Sequence, residues 1–231
     1  MYDYQSVSNT HSYGGARVVF TGTKQGVSSG KYPVDLTTLP EAVNGMIPAG
    51  TPIYMNDAAK TAAVHYAFEV YEAVTYLTGA TSMSIKVKKL HEGSRAIVGQ
   101  ILGIAPSVIT GEVAIPLTIT AVTRTNTLYD TLTVSCTATE AGGTIALGTV
   151  LVEVAENVSD SKFYVKVLPN AFTFYDVVKL PTATELWVDG LFAQIDGVLL
   201  TRRIPPLADC VKAYMLGASG NVYVRLSASQ E

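Results

Sequence analysis

Period-two alternation of apolar and polar residues runs through most of this chain, and it restricts the fold to sheet. In residues 131–137, Leu132, Val134 and Cys136 share one side, while the hydroxyls of Thr131, Thr133, Ser135 and Thr137 take the other. Residues 150–154 repeat the pattern with Glu153 outward, and Phe163, Val165 and Val167 oppose Tyr164 and Lys166. Ile85 and Val87 alternate with lysines, Val222, Val224 and Leu226 oppose Tyr223 and Arg225, and residues 17–20 open the first strand. Strands with one wet face belong to antiparallel sheets.

Turn chemistry punctuates the alternation. Asp189-Gly190, Asp196-Gly197 and Ser219-Gly220-Asn221 read as hairpin turns, and Gly14-Gly15 and Gly142-Gly143 as loops. Ten prolines discourage long helices. Residues 57–77 mix helix formers with an alternating Val64, Tyr66, Phe68, Val70 and Val74, and β-branched and aromatic content favours strand there. One helix is expected around residues 205–216, opened by Pro205-Pro206, with Leu207, Val211 and Tyr214 on one face and Gly217 closing it.

The expected architecture is therefore all-β: two small antiparallel β-sandwich or barrel-like domains with one short C-terminal helix. Gly103, Pro106 and Gly111 interrupt the pattern and place a boundary there, giving domains of residues 1–105 and 106–231. The two parts share a faint echo. Ile47-Pro48-Ala49-Gly50-Thr51-Pro52-Ile53 and Ile145-Ala146-Leu147-Gly148-Thr149-Val150-Leu151 both read as a glycine turn feeding a strand.

Composition narrows the function. Charged residues make up 15% of the 231, below the roughly 25% of an average soluble domain. A neutral, partly apolar surface suits a chain packed against neighbours. Net charge is −3 without a basic run, so nucleic acid is not an expected partner. The densest positive patch is Lys86, Lys88 and Lys89, of which two face solvent on a strand. No run reaches the ~18 apolar residues of a membrane helix, and the N-terminal segment lacks the pattern of a secretory signal. Cys136 and Cys210 form neither a disulfide framework nor a zinc pattern, and Cys136 reads as a buried reduced thiol.

No constellation for catalysis emerges. His11, His65 and His91 are separate and lack metal-binding spacing. The stretch Gly22 to Lys31 resembles a phosphate loop only superficially. It is one residue short between Gly26 and Gly30, and Tyr32-Pro33 replaces the hydroxyl and helix that the motif needs. Glu69 and Glu72, or Glu153 and Glu156, are three apart, so on a strand each pair points to opposite faces. The reading is of a non-enzyme without cofactor or metal. Tyr2, Tyr4 and Tyr13, in an otherwise polar arm with Arg17 beyond, are the candidate partner interface, because tyrosine joins apolar area to a hydroxyl.

Three stretches carry a family resemblance: Gly30-Lys31-Tyr32-Pro33-Val34-Asp35-Leu36, then residues 47–53, then Ile85-Lys86-Val87-Lys88-Lys89-Leu90-His91 running to Val98-Gly99. Their order resembles the head-fibre and head auxiliary (capsid decoration) proteins of tailed bacteriophages of the Bacteroidales and crAss-like type. The resemblance covers about the first hundred residues. It implies a virion protein made in the host cytoplasm, bound to the major capsid protein on the head surface and oligomeric, with no catalytic residues to carry over. Two rivals stand beside it. A tail or connector component would share the composition. A host-glycan-binding fibre or adhesin module would need an exposed aromatic platform, for which Trp187 is the one tryptophan.

Overall fold

The computed structural model describes residues 20, 25–27, 32–34, 47–89, 96–136, 142–177, 186–217 and 222–227. The chain is mostly strand with one short helix, as the alternation requires. In chain order the first strands are β1 (Gln25–Val27), β2 (Tyr32–Val34), β3 (Pro52–Asn56), β4 (Thr61–Val64), β5 (Ala67–Glu69) and β6 (Val74–Tyr76). Next come β7 (Ser82–Lys88), β8 (Ile101–Ile104), β9 (Leu117–Thr123), β10 (Tyr129–Cys136), β11 (Gly143–Ile145) and β12 (Val150–Asn157). The last are β13 (Lys162–Val165), β14 (Ala171–Thr173), β15 (Leu186–Val188), β16 (Gly190–Leu200) and β17 (Tyr223–Ser227), with helix α1 (Asp209–Leu216) before β17.

One sheet has the order β1-β16-β14-β3-β4-β2-β15, with β17 also on β16. A second runs β13-β12-β8-β9-β10-β7, with β5 on β12. This second sheet closes. Val70, next to β5, bridges Val87 of β7, and Tyr71 N–H donates to Lys86 O at 2.8 Å. The ring β5-β12-β8-β9-β10-β7 is thus a small six-stranded barrel, filled by inward side chains such as Ile85, Leu102, Leu117, Leu132 and Leu151. Each such burial contributes roughly 1.5–3 kcal/mol. The other face of β12 is also covered: Val152 and Val154 pack in one cluster with Phe172, Leu191 and Leu199 of the first sheet and Val211 and Met215 of α1. Gly103 lies on that face, where a Cβ would collide with Val113 Cγ1.

The pairing corrects the boundary at 105/106. Strands from either side of it pair throughout: β7 with β10, β8 with β9 and β12, β5 with β12, β6 with β11, β3 with β14, and β2 with β15. The apparent linker has other uses. Gly103 is a packing position inside β8, and Gly111 closes a tight turn onto Val108 O within the loop joining two neighbouring barrel strands.

Other local expectations change too. Asp189-Gly190 joins β15 to β16, yet these strands pair with different neighbours, and Gly190 is there because a Cβ would strike Met55 Sδ. Asp196-Gly197 lies inside β16, where the pairing with β17 slips register between Ala193 and Val198. Residues 57–77 are strand, but divided: β4 belongs to the first sheet, β5 to the barrel and β6 to a two-stranded ribbon with β11. Helix α1 buries Cys210, Val211 and Met215, while Tyr214 points outward and the prolines stand ahead of the first turn. Gly217 does close it, its N–H donating to Ala213 O at 3.0 Å. β17 then runs parallel to β16, so β16, α1 and β17 form a crossover unit in a mainly antiparallel design, in which β2 also lies parallel to β4.

The sequence echo is a structural one, and it recurs. Thr51 N–H donates to Pro48 O and Thr149 N–H to Ala146 O, both at 3.2 Å, with Gly50 and Gly148 at φ +76° and +81°. The same turn occurs at residues 77–80 and 97–100, with Gly79 at +77° and Gly99 at +92°. All four have glycine third, where a type II turn requires positive φ, and they lead to β3, β12, β7 and β8.

Candidate interaction surfaces

Tyr2, Tyr4, Tyr13 and Arg17, the residues singled out for partner contact, lie outside the described residues, as do His11 and His91. The lysine strand divides as its parity demands. Lys86 and Lys88 stand on the outer wall of the barrel, where Lys86 pairs with Glu72 at 2.5 Å and Lys88 with Glu69. Lys86 also sits 5.1 Å from the centre of the Tyr129 ring, which in turn stacks on Tyr71 at 5.0 Å. The hydrogen bond to Glu72 raises the Lys86 ammonium pKa above its ordinary value. Glu69 and Glu72 therefore do not point apart, because the chain bends after Val70 and both reach the same lysine strand. Each is matched by its own cation.

Lys89 turns the other way. Its ammonium donates to Arg124 O at 3.0 Å and Asn126 O at 2.7 Å, and lies 3.1 Å from Asp130 Oδ1 as an ion pair. Asp130 is fully buried at the mouth of the barrel. Arg124 Nε stands 4.0 Å from its other oxygen, and Arg124 Nη2 donates to Ala96 O at 2.7 Å. The cluster ties the β9–β10 hairpin to the ends of two other loops. The signal for it was available: Asp130 has the parity of Leu132 and Val134, so the alternation itself directs a carboxylate inward.

His65 is buried at the corner between β4 and β5, its Nδ1 2.8 Å from Val167 O, a structural hydrogen bond. Glu153, expected outward, is buried and paired with Lys166 at 2.9 Å, because β13 brings that lysine over it. Cys136 is half-buried, with its thiol 3.4 Å from Ala80 O, and Cys210 is buried, which pushes its thiol pKa up. Among the described residues no group of three or more His, Cys, Asp or Glu is placed to hold a metal ion. No described helix is long and apolar enough to cross a membrane.

Two kinds of exposed apolar surface stand out among the described residues, beside single exposed side chains such as Ile104 and Tyr214. Large aliphatic side chains occupy turn tips: Leu77 is 78% exposed, Leu147 65%, Val98, Val108 and Leu128 60% each, and Val158 97%. The second is aromatic. Tyr54 of β3 and Trp187 of β15 both point away from the core on one face of the first sheet. The fold is all-β, with its chemistry displayed on turns and one sheet face. Comparison with protein-family models, with curated proteins and with solved structures gives no match.

Proposed function

We propose that the chain is a capsid auxiliary protein of the decoration or head-fibre type, which binds the major capsid protein on the head surface of a tailed phage as a homo-oligomer. The observation that carries this reading is the set of aliphatic turn tips. Turns in water are ordinarily built from Gly, Asn, Asp, Ser and Pro. Here Leu77, Val98, Val108, Leu128, Leu147 and Val158 stand out from a rigid β scaffold. Their desolvation against a neighbouring subunit is favourable, and a scaffold that is already ordered loses little entropy on docking. Low overall charge and the three family-like stretches point the same way. Two of those stretches contribute β2 and the turn into β3, and the third contributes β7.

The mechanism is mechanical. A protein that binds only the assembled lattice shifts the equilibrium toward assembly. The test is co-expression with the major capsid protein encoded by the same genome, followed by gradient separation of assembled heads. The chain travels with the heads at fixed stoichiometry, and a variant carrying serine at Leu77, Leu128 and Leu147 stays at the top of the gradient. A wild-type chain that remains at the top overturns the reading.

A further inference from the structure

We infer that the outward face of β3, β4, β2 and β15 is a carbohydrate-binding strip whose occupant is an uncharged glycan chain. This inference is independent of the capsid reading. On these four strands the burial alternates except at Pro52, which is buried where β3 begins: Ile53, Met55, Ala62, Val64, Val34 and Val188 are among those facing the core, while Tyr54, Thr61, Ala63, Pro33 and Trp187 face out. Tyr54 lies opposite Ala63, and Trp187 lies opposite Pro33. Trp187 and Tyr54 are 43% and 41% exposed in the middle of their strands, where the ladder fixes the backbone and leaves the rings proud of it. With three strand spacings and a two-residue offset between them, their Cα atoms are about 16 Å apart. Between the rings Pro33 and Ala63 present small side chains and Thr61 adds a hydroxyl, while Asn56 Oδ1 accepts from the Ala58 and Ala59 N–H groups of the turn and leaves its amide NH2 as a donor.

That combination selects the occupant. A pyranose has an apolar C–H face that stacks on an aromatic ring and a rim of hydroxyls that exchange hydrogen bonds with neutral polar groups. No outward residue of the strip carries a formal charge, so an anionic glycan, a phosphate or an acidic peptide gains nothing there. A protein partner is disfavoured by size. Four strands by three residues is about 200 Å², against the roughly 800 Å² per partner of a stable interface.

Trp187 is the single tryptophan, so its emission reports this face alone. The purified full chain is titrated with cellohexaose, chitohexaose, mannohexaose and xylohexaose while the fluorescence is followed, and affinity is then measured by calorimetry on the best responder. At least one oligosaccharide produces a saturable change in Trp187 emission. Tyr54→Ala weakens that binding about tenfold, the equivalent of losing one stacked ring, while Trp187→Phe retains it in the calorimeter and Trp187→Ala loses it. Both side chains are exposed, so unchanged thermal melts show that the variants fold. Three results overturn the inference: silence from Trp187 with all four sugars, binding that survives Trp187→Ala and Tyr54→Ala together, or an emission change driven by protein concentration alone, which means that a second copy covers the face.

Discussion

Replacing Lys89 by methionine keeps the length of the side chain and removes only the ammonium at its end. Lys89 donates to two carbonyls and pairs with Asp130, which is fully buried. Hydrogen bonds to a charged donor contribute about 1.5–3 kcal/mol each, and orphaning one member of a buried ion pair costs about 3–5 kcal/mol. These overlap, because methionine leaves Arg124 near the carboxylate. The expected loss is therefore about 4 kcal/mol. For a domain of this size that lowers Tm by roughly 8–16 °C, read by calorimetry or denaturant melts. The double variant Lys89→Met, Asp130→Leu removes the stranded charge and recovers about half, because replacing a buried pair with apolar groups is often close to neutral. The hairpin carbonyls stay unpaired, so recovery is incomplete. A loss below about 1 kcal/mol for Lys89→Met, or a double variant no better than the sum of the singles, refutes this account.

The neighbouring lysines give the contrast. Lys88→Ala, which removes an exposed ion pair with Glu69, changes stability by no more than about 0.5 kcal/mol in the same melts. Gly99→Ala and Gly148→Ala each cost about 1 kcal/mol through positive φ alone, since a Cβ meets nothing within 4 Å at either site. Gly103→Ala costs more, about 2–3 kcal/mol, and Val113→Ala in the same chain relieves part of it, because the fault is a collision. A thiol reagent modifies Cys136 in the native protein and reaches Cys210 only on unfolding, since burial raises the Cys210 pKa and suppresses its thiolate. The hydrogen bond from Lys212 lowers the Asp209 pKa, so its carboxyl favours the fold above its unfolded pKa and loses that contribution as pH falls through the folded one. NMR titration finds the midpoint below the ordinary aspartate range, and Lys212→Ala moves it up.

The strands and their faces were legible because alternation is a local property. Leu132, Val134, Ile85 and Val87 all point where parity sends them. Which strand pairs with which is not local. Residues 57–77 read as strand, with unbroken alternation from Val64 to Val70, yet at His65 and Tyr66 the chain leaves one sheet for another, and nothing in the side-chain pattern marks the corner. Asp-Gly dipeptides misled for a similar reason. Gly190 serves close packing under Met55 and not a turn, and both uses ask for the same residue. Of the surfaces, Trp187 could be placed outward from Leu186-Trp187-Val188 alone, whereas its partner Tyr54 required the register of four strands. The ammonium cage of Lys89 needed the hairpin carbonyls, which no sequence pattern encodes.

Because Tyr32–Val34 is completed by Leu186–Val188, and Pro52–Asn56 by Ala171–Thr173, synthesis order and sheet order are at odds. The early strands emerge from the ribosome long before the segments that flank them. Among the early strands of the first sheet, β2, β3 and β4 can pair with one another at once, but the barrel must wait for residue 150 to seal its wall. Such a chain folds late and slowly, with apolar edges uncovered meanwhile. Its yield in a cell therefore depends on what shelters those edges during translation, and a fragment ending near residue 105 is expected to aggregate.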